Sequence, residues 1–118
     1  MLTLSKAYRY FMYRKPADMR KGFDGLSGLV NRELLQSPLS GDIFIFLNKG
    51  RNRIKLLHWQ GDGFAVYYKR LERGTYELPQ ISAGCAGVEI SAQQLMLMME
   101  GISLLSVKIR KRYSLNLC

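Results

Sequence analysis

The stretch "DIFIFLNKGRNRIKLLHWQGDGFAVYYKRL", residues 42–71, decides the fold. Three runs rich in β-branched and aromatic residues, "DIFIFL", "RIKLLHW" and "FAVYYKRL", are separated by "NKGRN" and "QGDG". Runs of that composition between short Gly/Asn/Asp clusters read as strands joined by tight turns, which makes an antiparallel meander. Gly50 is the expected positive-φ residue of the first turn. With Asn48 opposite Arg53 and "GD" as the second loop, the register follows. Ile54 faces Leu47, Leu56 faces Ile45, His58 faces Ile43, Trp59 faces Phe64, Leu57 faces Val66 and Lys55 faces Tyr68. Side chains alternate across a sheet. One face therefore carries Ile43, Ile45, Leu47, Ile54, Leu56 and Ala65, an ordinary core. The other carries Phe44, Phe46, Lys55, Trp59, Phe64 and Tyr68, with Arg53 and Arg70 at its end.

Upstream, "YRYFMY" (8–13) reads as a strand ended by "RKP". Asp18 offers a helix N-cap. Met19, Phe23, Leu26 and Val30 then draw one helical stripe, and the helix is expected to reach about Leu35. Gly22, Gly25 and Gly28 lie on it, each costing about 1 kcal/mol against alanine. They point to close packing of helix on sheet, or to close approach of a partner's backbone. Downstream, "ERGTYELP" reads as a turn into a short fourth strand ended by Pro79. "QISAGCAG" reads as a loop and "VEI" as a short strand. "SAQQ" is a capping box, Ser91 at N-cap and Gln94 at N3. Leu95, Met98 and Met99 form the apolar face of the helix it starts, with Gly101 as its C-terminal cap. In the tail, Leu105, Val107 and Ile109 alternate with Ser106, Lys108 and Arg110, the pattern of a strand with a basic face. The expected class is α+β: a mostly antiparallel sheet with a three- to four-stranded meander, one longer N-terminal helix and one short C-terminal helix packed on one face. Residues 1–118 form one domain, with 107–118 a basic tail prone to fray.

The 118 residues suffice for a core, and 47% are hydrophobic, which excludes a disordered chain. Against 9 acids stand 18 lysines and arginines, a net charge of +9. Such an excess favours polyanionic partners, nucleic acid before an anionic membrane. Cys85 and Cys118 make no disulfide framework. The opening "MLTLSKAYRYFMYRKP" is interrupted by Lys6, Arg9 and Arg14 and is not a signal peptide. No apolar run is long enough to span a bilayer. A cytoplasmic setting is expected, with no membrane partner.

Nothing in the sequence argues for catalysis. His58 is the only histidine, and mid-strand among apolar neighbours it reads as a packed residue. No second histidine or cysteine pair gives metal-ligand spacing. Asp18, Asp24, Asp42 and Asp62 are scattered over caps, turns and helix surface, and no cluster for two-metal phosphoryl chemistry is visible. "KGFDGLSG" lacks the phosphate-loop spacing, and there is no nucleophile elbow. The expectation is a protein that is not an enzyme and takes no cofactor and no metal.

"RKPADMRKGFDGLSGLV" followed by "GDIFIFLNKGRNRIKLLHWQGDGFAVYYKRLERG" closely resembles the TnpB-type accessory protein of insertion sequence sixty-six elements, the product of the element's second open reading frame. The match runs from about Tyr8 to Tyr76, with a weaker echo in "QLMLMMEGI". Asp18, Met19, Arg20, Lys21, Gly22, Asp24, Gly25, Lys69, Arg70, Leu71, Glu72, Arg73 and Gly74 stand at motif positions. Gln60 replaces the aspartate of the family's "WDG" turn, with Asp62 following. The resemblance implies a bacterial mobile element, a role in transposition, and catalysis in a separate, larger transposase with an acidic triad. It supplies no catalytic residue for this chain.

The expected function is that of a non-catalytic accessory protein binding DNA, transposon ends above all, through a basic aromatic β-ribbon. Its nucleic-acid contacts are expected at Arg51, Arg53, Lys55, Lys69, Arg70 and Arg73, with Arg20, Lys21, Lys108, Arg110, Lys111 and Arg112. Phe44, Phe46, Trp59, Phe64 and Tyr68 either stack unpaired bases or are covered by protein. The alternative is an adaptor whose cations meet acidic patches on the transposase without touching DNA. A homo-oligomer is compatible with either.

Overall fold

A computed structural model describes residues 5–78 and 85–100. The elements run β1 (Tyr10–Tyr13), α1 (Phe23–Arg32), β2 (Ile43–Leu47), β3 (Arg53–Trp59), β4 (Phe64–Arg70), β5 (Gly87–Ile90) and α2 (Ala92–Met99). The meander β2–β3–β4 pairs in the register that its turns dictate: Ile43 opposite His58, Leu47 opposite Ile54, Lys55 opposite Tyr68, Trp59 opposite Phe64. The class is α+β, as expected. The sheet, however, is mixed rather than a mostly antiparallel meander. Its order is β4-β3-β2-β1-β5, and β1 lies parallel to β2 with Tyr10 opposite Ile43. A helix lies between β1 and β2, and a helical crossover is what joins parallel neighbours. The "VEI" strand is β5, antiparallel to β1 on its other side. The expected fourth strand after "ERG" does not form. Tyr76 is buried there instead, its N–H donated to the Arg51 carbonyl at 2.7 Å. Pro79, Gly101 and the basic tail lie outside the described residues.

The helices cover opposite faces of the sheet, not one. Leu26, Leu29 and Val30 of α1 pack with Phe11, Tyr13, Phe44, Phe46 and Leu57. Leu95, Met98 and Met99 of α2 pack with Tyr10, Met12, Ile43, Ile45, Ile54 and Leu56. The reason is visible in "IFIFL", a run buried along its whole length. A strand apolar on both sides needs cover on both sides. Burying side chains of this size stabilises by roughly 1.5–3 kcal/mol each, so both layers are needed to hold the sheet.

Each helix starts by a different device. The Ser91 hydroxyl accepts from the Gln94 N–H at 3.0 Å, and the Gln94 side chain accepts from the Ser91 N–H at 2.8 Å, the expected capping box. Helix α1 starts later than expected, after Gly22, with no side-chain cap. Asp18 accepts instead from the N–H and guanidinium of Arg20, in a turn that precedes the helix. The buried stripe is Leu26, Leu29 and Val30, and Phe23 stands half exposed. Helix–sheet packing does not explain the glycines. A Cβ at Gly25 would meet only the side chain of Lys21, and one at Gly28 only the guanidinium of Arg32.

Candidate nucleic-acid interface

The topology gathers cations at one end of the sheet. Parallel β1 and β2 both finish there, β3 starts there and β4 finishes there. Three connections therefore meet: residues 14–22 after β1, the turn 48–52 between β2 and β3, and 71–76 after β4. Main-chain bonds tie them together. The Ala17 N–H donates to the Leu47 carbonyl at 2.8 Å, and the Leu71 N–H to the Asn52 carbonyl at 2.8 Å. Asn48 folds the middle turn: its Oδ1 accepts from the N–H groups of Asn52 and Arg53, each at 3.0 Å, and its Nδ2 donates to Asn52 Oδ1 at 2.7 Å. The positive φ of this turn falls on Arg51, at 57°, not on Gly50. In the second turn Gly61 takes it, at 92°.

Lys15, Arg20, Lys21, Lys49, Arg51, Arg53, Arg70 and Arg73 all belong to this end. Arg53 stands directly opposite Arg70, and like charges in that position destabilise a sheet. Three of these cations have acid partners: Lys15–Glu33 at 3.7 Å, Arg20–Asp18 at 2.7 Å and Arg70–Glu72 at 3.4 Å. All three pairs are solvent-exposed, and such pairs contribute little, so an incoming anion displaces them at small cost. The Arg20 guanidinium, by hydrogen bond above all, holds the Asp18 carboxyl down at about 2. Arg20 is raised in turn by the same bond. Lys21, Lys49, Arg51, Arg53 and Arg73 form no ion pair among the described residues, although the Lys21 charge adds to the lowering of Asp18.

Two of the expected contact residues have other work. Lys55 is only 8% exposed. Its ammonium donates to the carbonyls of Met19 at 2.7 Å and Lys21 at 2.8 Å, and lies 4.7 Å from the centre of the Tyr68 ring. It fastens residues 18–22 to the ribbon and presents no charge to a ligand. Lys69 points to the other face of the sheet and donates to the Met99 carbonyl at 3.2 Å. A cation is favourable there, at the C-terminal end of α2. Lys108, Arg110, Lys111 and Arg112 lie outside the described residues.

The aromatic face divides likewise. Phe44 and Phe46 are fully buried beneath α1, which removes them as stacking surfaces. Trp59 and Phe64 meet edge to face at 5.0 Å at the far end of the ribbon. Tyr68 is 49% exposed, at the basic end. His58 is half-buried and meets Tyr8 edge-on at 4.7 Å, a packed histidine as expected. Among the described residues no group of three His, Cys, Asp or Glu side chains is placed to hold a metal ion. No helix among them is long and apolar enough to cross a membrane.

Sequence reasoning missed Lys15 and Lys49 as members of the basic end. Lys49 was legible as a turn residue beside Arg51. Lys15 was not, because its place depends on β1 joining β2 in parallel.

The family profile described as IS66 Orf2 like protein matches residues 8–109. The chain belongs to that family. The family is that of a transposition accessory protein of an insertion sequence, in agreement with the motifs "DMRKGFDGL" and "YKRLERG". Similar to it among curated proteins is the uncharacterized protein y4jC of Sinorhizobium fredii, 32% identical over 108 residues, which covers 92% of this chain and 91% of that one. The uncharacterized protein y4hO of the same bacterium is 31% identical over 102 residues, covering 86% and 87%. No solved structure matches the chain. In this IS66 Orf2-like protein the two motifs meet through one side chain: Lys55 anchors the carbonyls of "DMRKG" while its ammonium lies against Tyr68 of "YYKRLERG".

Proposed function

We propose that this protein is a non-catalytic accessory subunit of transposition that grips DNA phosphates with the basic end of its sheet, beside a separate catalytic transposase. The observation that carries the reading is the convergence of Lys21, Lys49, Arg51, Arg53 and Arg73 at one end, unpaired by acids among the described residues. The direct opposition of Arg53 and Arg70 adds to it. That opposition lowers the stability of the fold and becomes favourable once an anion lies between the two guanidinium groups. The nearby acids Asp18 and Glu72 are each engaged by an arginine, an arrangement suited to holding charge apart rather than to coordinating metal ions.

The test is affinity for duplex DNA as a function of salt. Neutralising about five phosphates gives log K against log salt a slope near −4 to −5. Arg51→Gln, Arg53→Gln and Arg73→Gln together should flatten it by about 2–3. A wild-type protein that binds no DNA at low salt sinks the reading.

A second reading, the adaptor, has its own support. Leu35 is 82% exposed with φ of 54°, and Leu39 is also exposed. A large apolar side chain held in the left-handed region and offered to solvent suits a protein contact. Capture of the transposase by a chain defective in DNA binding, lost on Leu35→Ser, favours the adaptor.

A further inference from the structure

Tyr68 is the aromatic residue that the basic end leaves open. Phe44 and Phe46 are buried and Trp59 is packed on Phe64, but half of Tyr68 faces solvent. Its ring is not loose. The Lys55 ammonium lies 4.7 Å from its centre, and that ammonium is itself fixed by two carbonyls at 2.7 and 2.8 Å. The buried cation takes one face of the ring, and 49% of the residue remains exposed. A positive charge on one face draws electron density away from the other, which eases stacking of a second π system there.

The surroundings supply the rest of a nucleotide site. Arg53 and Arg70 form the next side-chain pair on the same face, two residues along the strands and so about 7 Å away. The main chain of Lys21 is tied to the same ammonium as the ring. A ring held rigid among cations suits a base whose own phosphates are gripped beside it. In a duplex, base faces are covered by their neighbours, so the ring gains a partner only when a base is unpaired.

We propose that Tyr68 is a stacking platform for an unpaired base, and that the protein selects single-stranded or locally opened DNA over duplex. This rests on the phosphate-gripping reading above and adds the form of DNA to it.

The test compares the full-length protein with its Tyr68→Ala and Tyr68→Phe variants on three 20-nucleotide probes at fixed salt, read by fluorescence anisotropy. The probes are duplex, single strand, and a single strand made abasic at its centre. Wild type should bind the single strand roughly tenfold tighter than the abasic strand, the worth of about one stacked base. Tyr68→Ala should lose that factor and keep its duplex affinity within about twofold. Tyr68→Phe, which keeps the ring, should behave as wild type. The abasic comparison needs no mutation, so it stands even if Tyr68→Ala folds poorly. Equal affinity for the intact and abasic strands overturns the proposal, and retained duplex binding then leaves the phosphate reading intact. Unchanged DNA affinities with lost capture of the transposase also overturn it, by making the ring a protein contact. No binding to any probe removes both readings together.

Discussion

Lys55 and Arg53 sit two residues apart on one face of one strand, and the structure gives them opposite roles. Replacing Lys55 by methionine keeps the length and volume of the stem. It removes the ammonium that satisfies the Met19 and Lys21 carbonyls and contacts the Tyr68 ring. A hydrogen bond from a charged donor contributes about 1.5–3 kcal/mol, and part of the loss is recovered as the freed carbonyls turn to water. The expected destabilisation is therefore about 2–4 kcal/mol. For a domain of this size 1 kcal/mol moves Tm by about 3–5 °C, so Lys55→Met should melt about 6–20 °C lower. In urea the midpoint should fall by about 1–2 M with the slope unchanged. Arg53→Gln is the control. It relieves the opposition to Arg70 and should be neutral or stabilise by a few tenths of a kcal/mol. The assay is equilibrium unfolding of both variants by urea and heat, followed by circular dichroism. A Lys55→Met protein within about 2 °C of wild type refutes the anchoring role. So does an Arg53→Gln protein that is the less stable of the two.

Further outcomes follow from single side chains. The Tyr76 hydroxyl is buried with no hydrogen-bond partner among the described residues, so Tyr76→Phe should be neutral or more stable, by up to about 1–2 kcal/mol in urea unfolding. Burial also pushes Tyr76 up to about 12. Its protonated form is the one the fold favours, so its contribution is complete below pH 10 and is lost as pH rises from 10 through 12, which absorbance at 295 nm follows in wild type and Tyr76→Phe. Asp18 is depressed to about 2, so its contribution is complete above about pH 4 and lost as pH falls through 2; Arg20→Gln should raise its midpoint, followed by carbon NMR, part of the way toward the ordinary carboxylate range, because the main-chain N–H of residue 20 still donates to it. Gly28→Ala should stabilise α1 by about 0.5–1 kcal/mol, because only the mobile end of Arg32 stands in the way of the new methyl; a loss of stability on thermal melting would show a closer neighbour.

The register of the meander was legible because two turn signals pin both ends of β3, and a pairing once fixed there propagates residue by residue. The capping box of α2 was legible for the same reason, being local. The cover on both faces was not read, although its signal was present: "IFIFL" has no polar side, and a strand with no polar side has no side for water. The start of α1 was misplaced because Asp18 is a good N-cap by type. Residues 18–22 instead form a turn closed by the Asp18 carbonyl and side chain, and Lys55, more than thirty residues further on, binds two of its carbonyls. The candidate site shows the same limit. Arg53, Lys55 and Lys69 are alike as cations in strands, and what separates them is whether a loop or a helix end arrives above them. Tyr68 and Phe46 are likewise both rings on the α1 face, and only the path of α1 decides which of them meets solvent.

The position of β1 in the sheet also governs the order in which the molecule can be completed. It is made first, yet both its neighbours come later: β2 after the helix and β5 roughly 75 residues on. At a synthesis rate of about 5–20 residues per second, one hydrogen-bonding edge of Tyr10–Tyr13 waits several seconds for its partner after it leaves the ribosome. During that interval "YFMY" is a short, apolar, unpaired strand, the kind that recruits other chains. A nascent chain halted before Gly87 would keep that edge permanently. Arg9 and Arg14 bracket it at once from either side, so it emerges already flanked by charge, a safeguard available from the first moment and independent of anything the finished protein does.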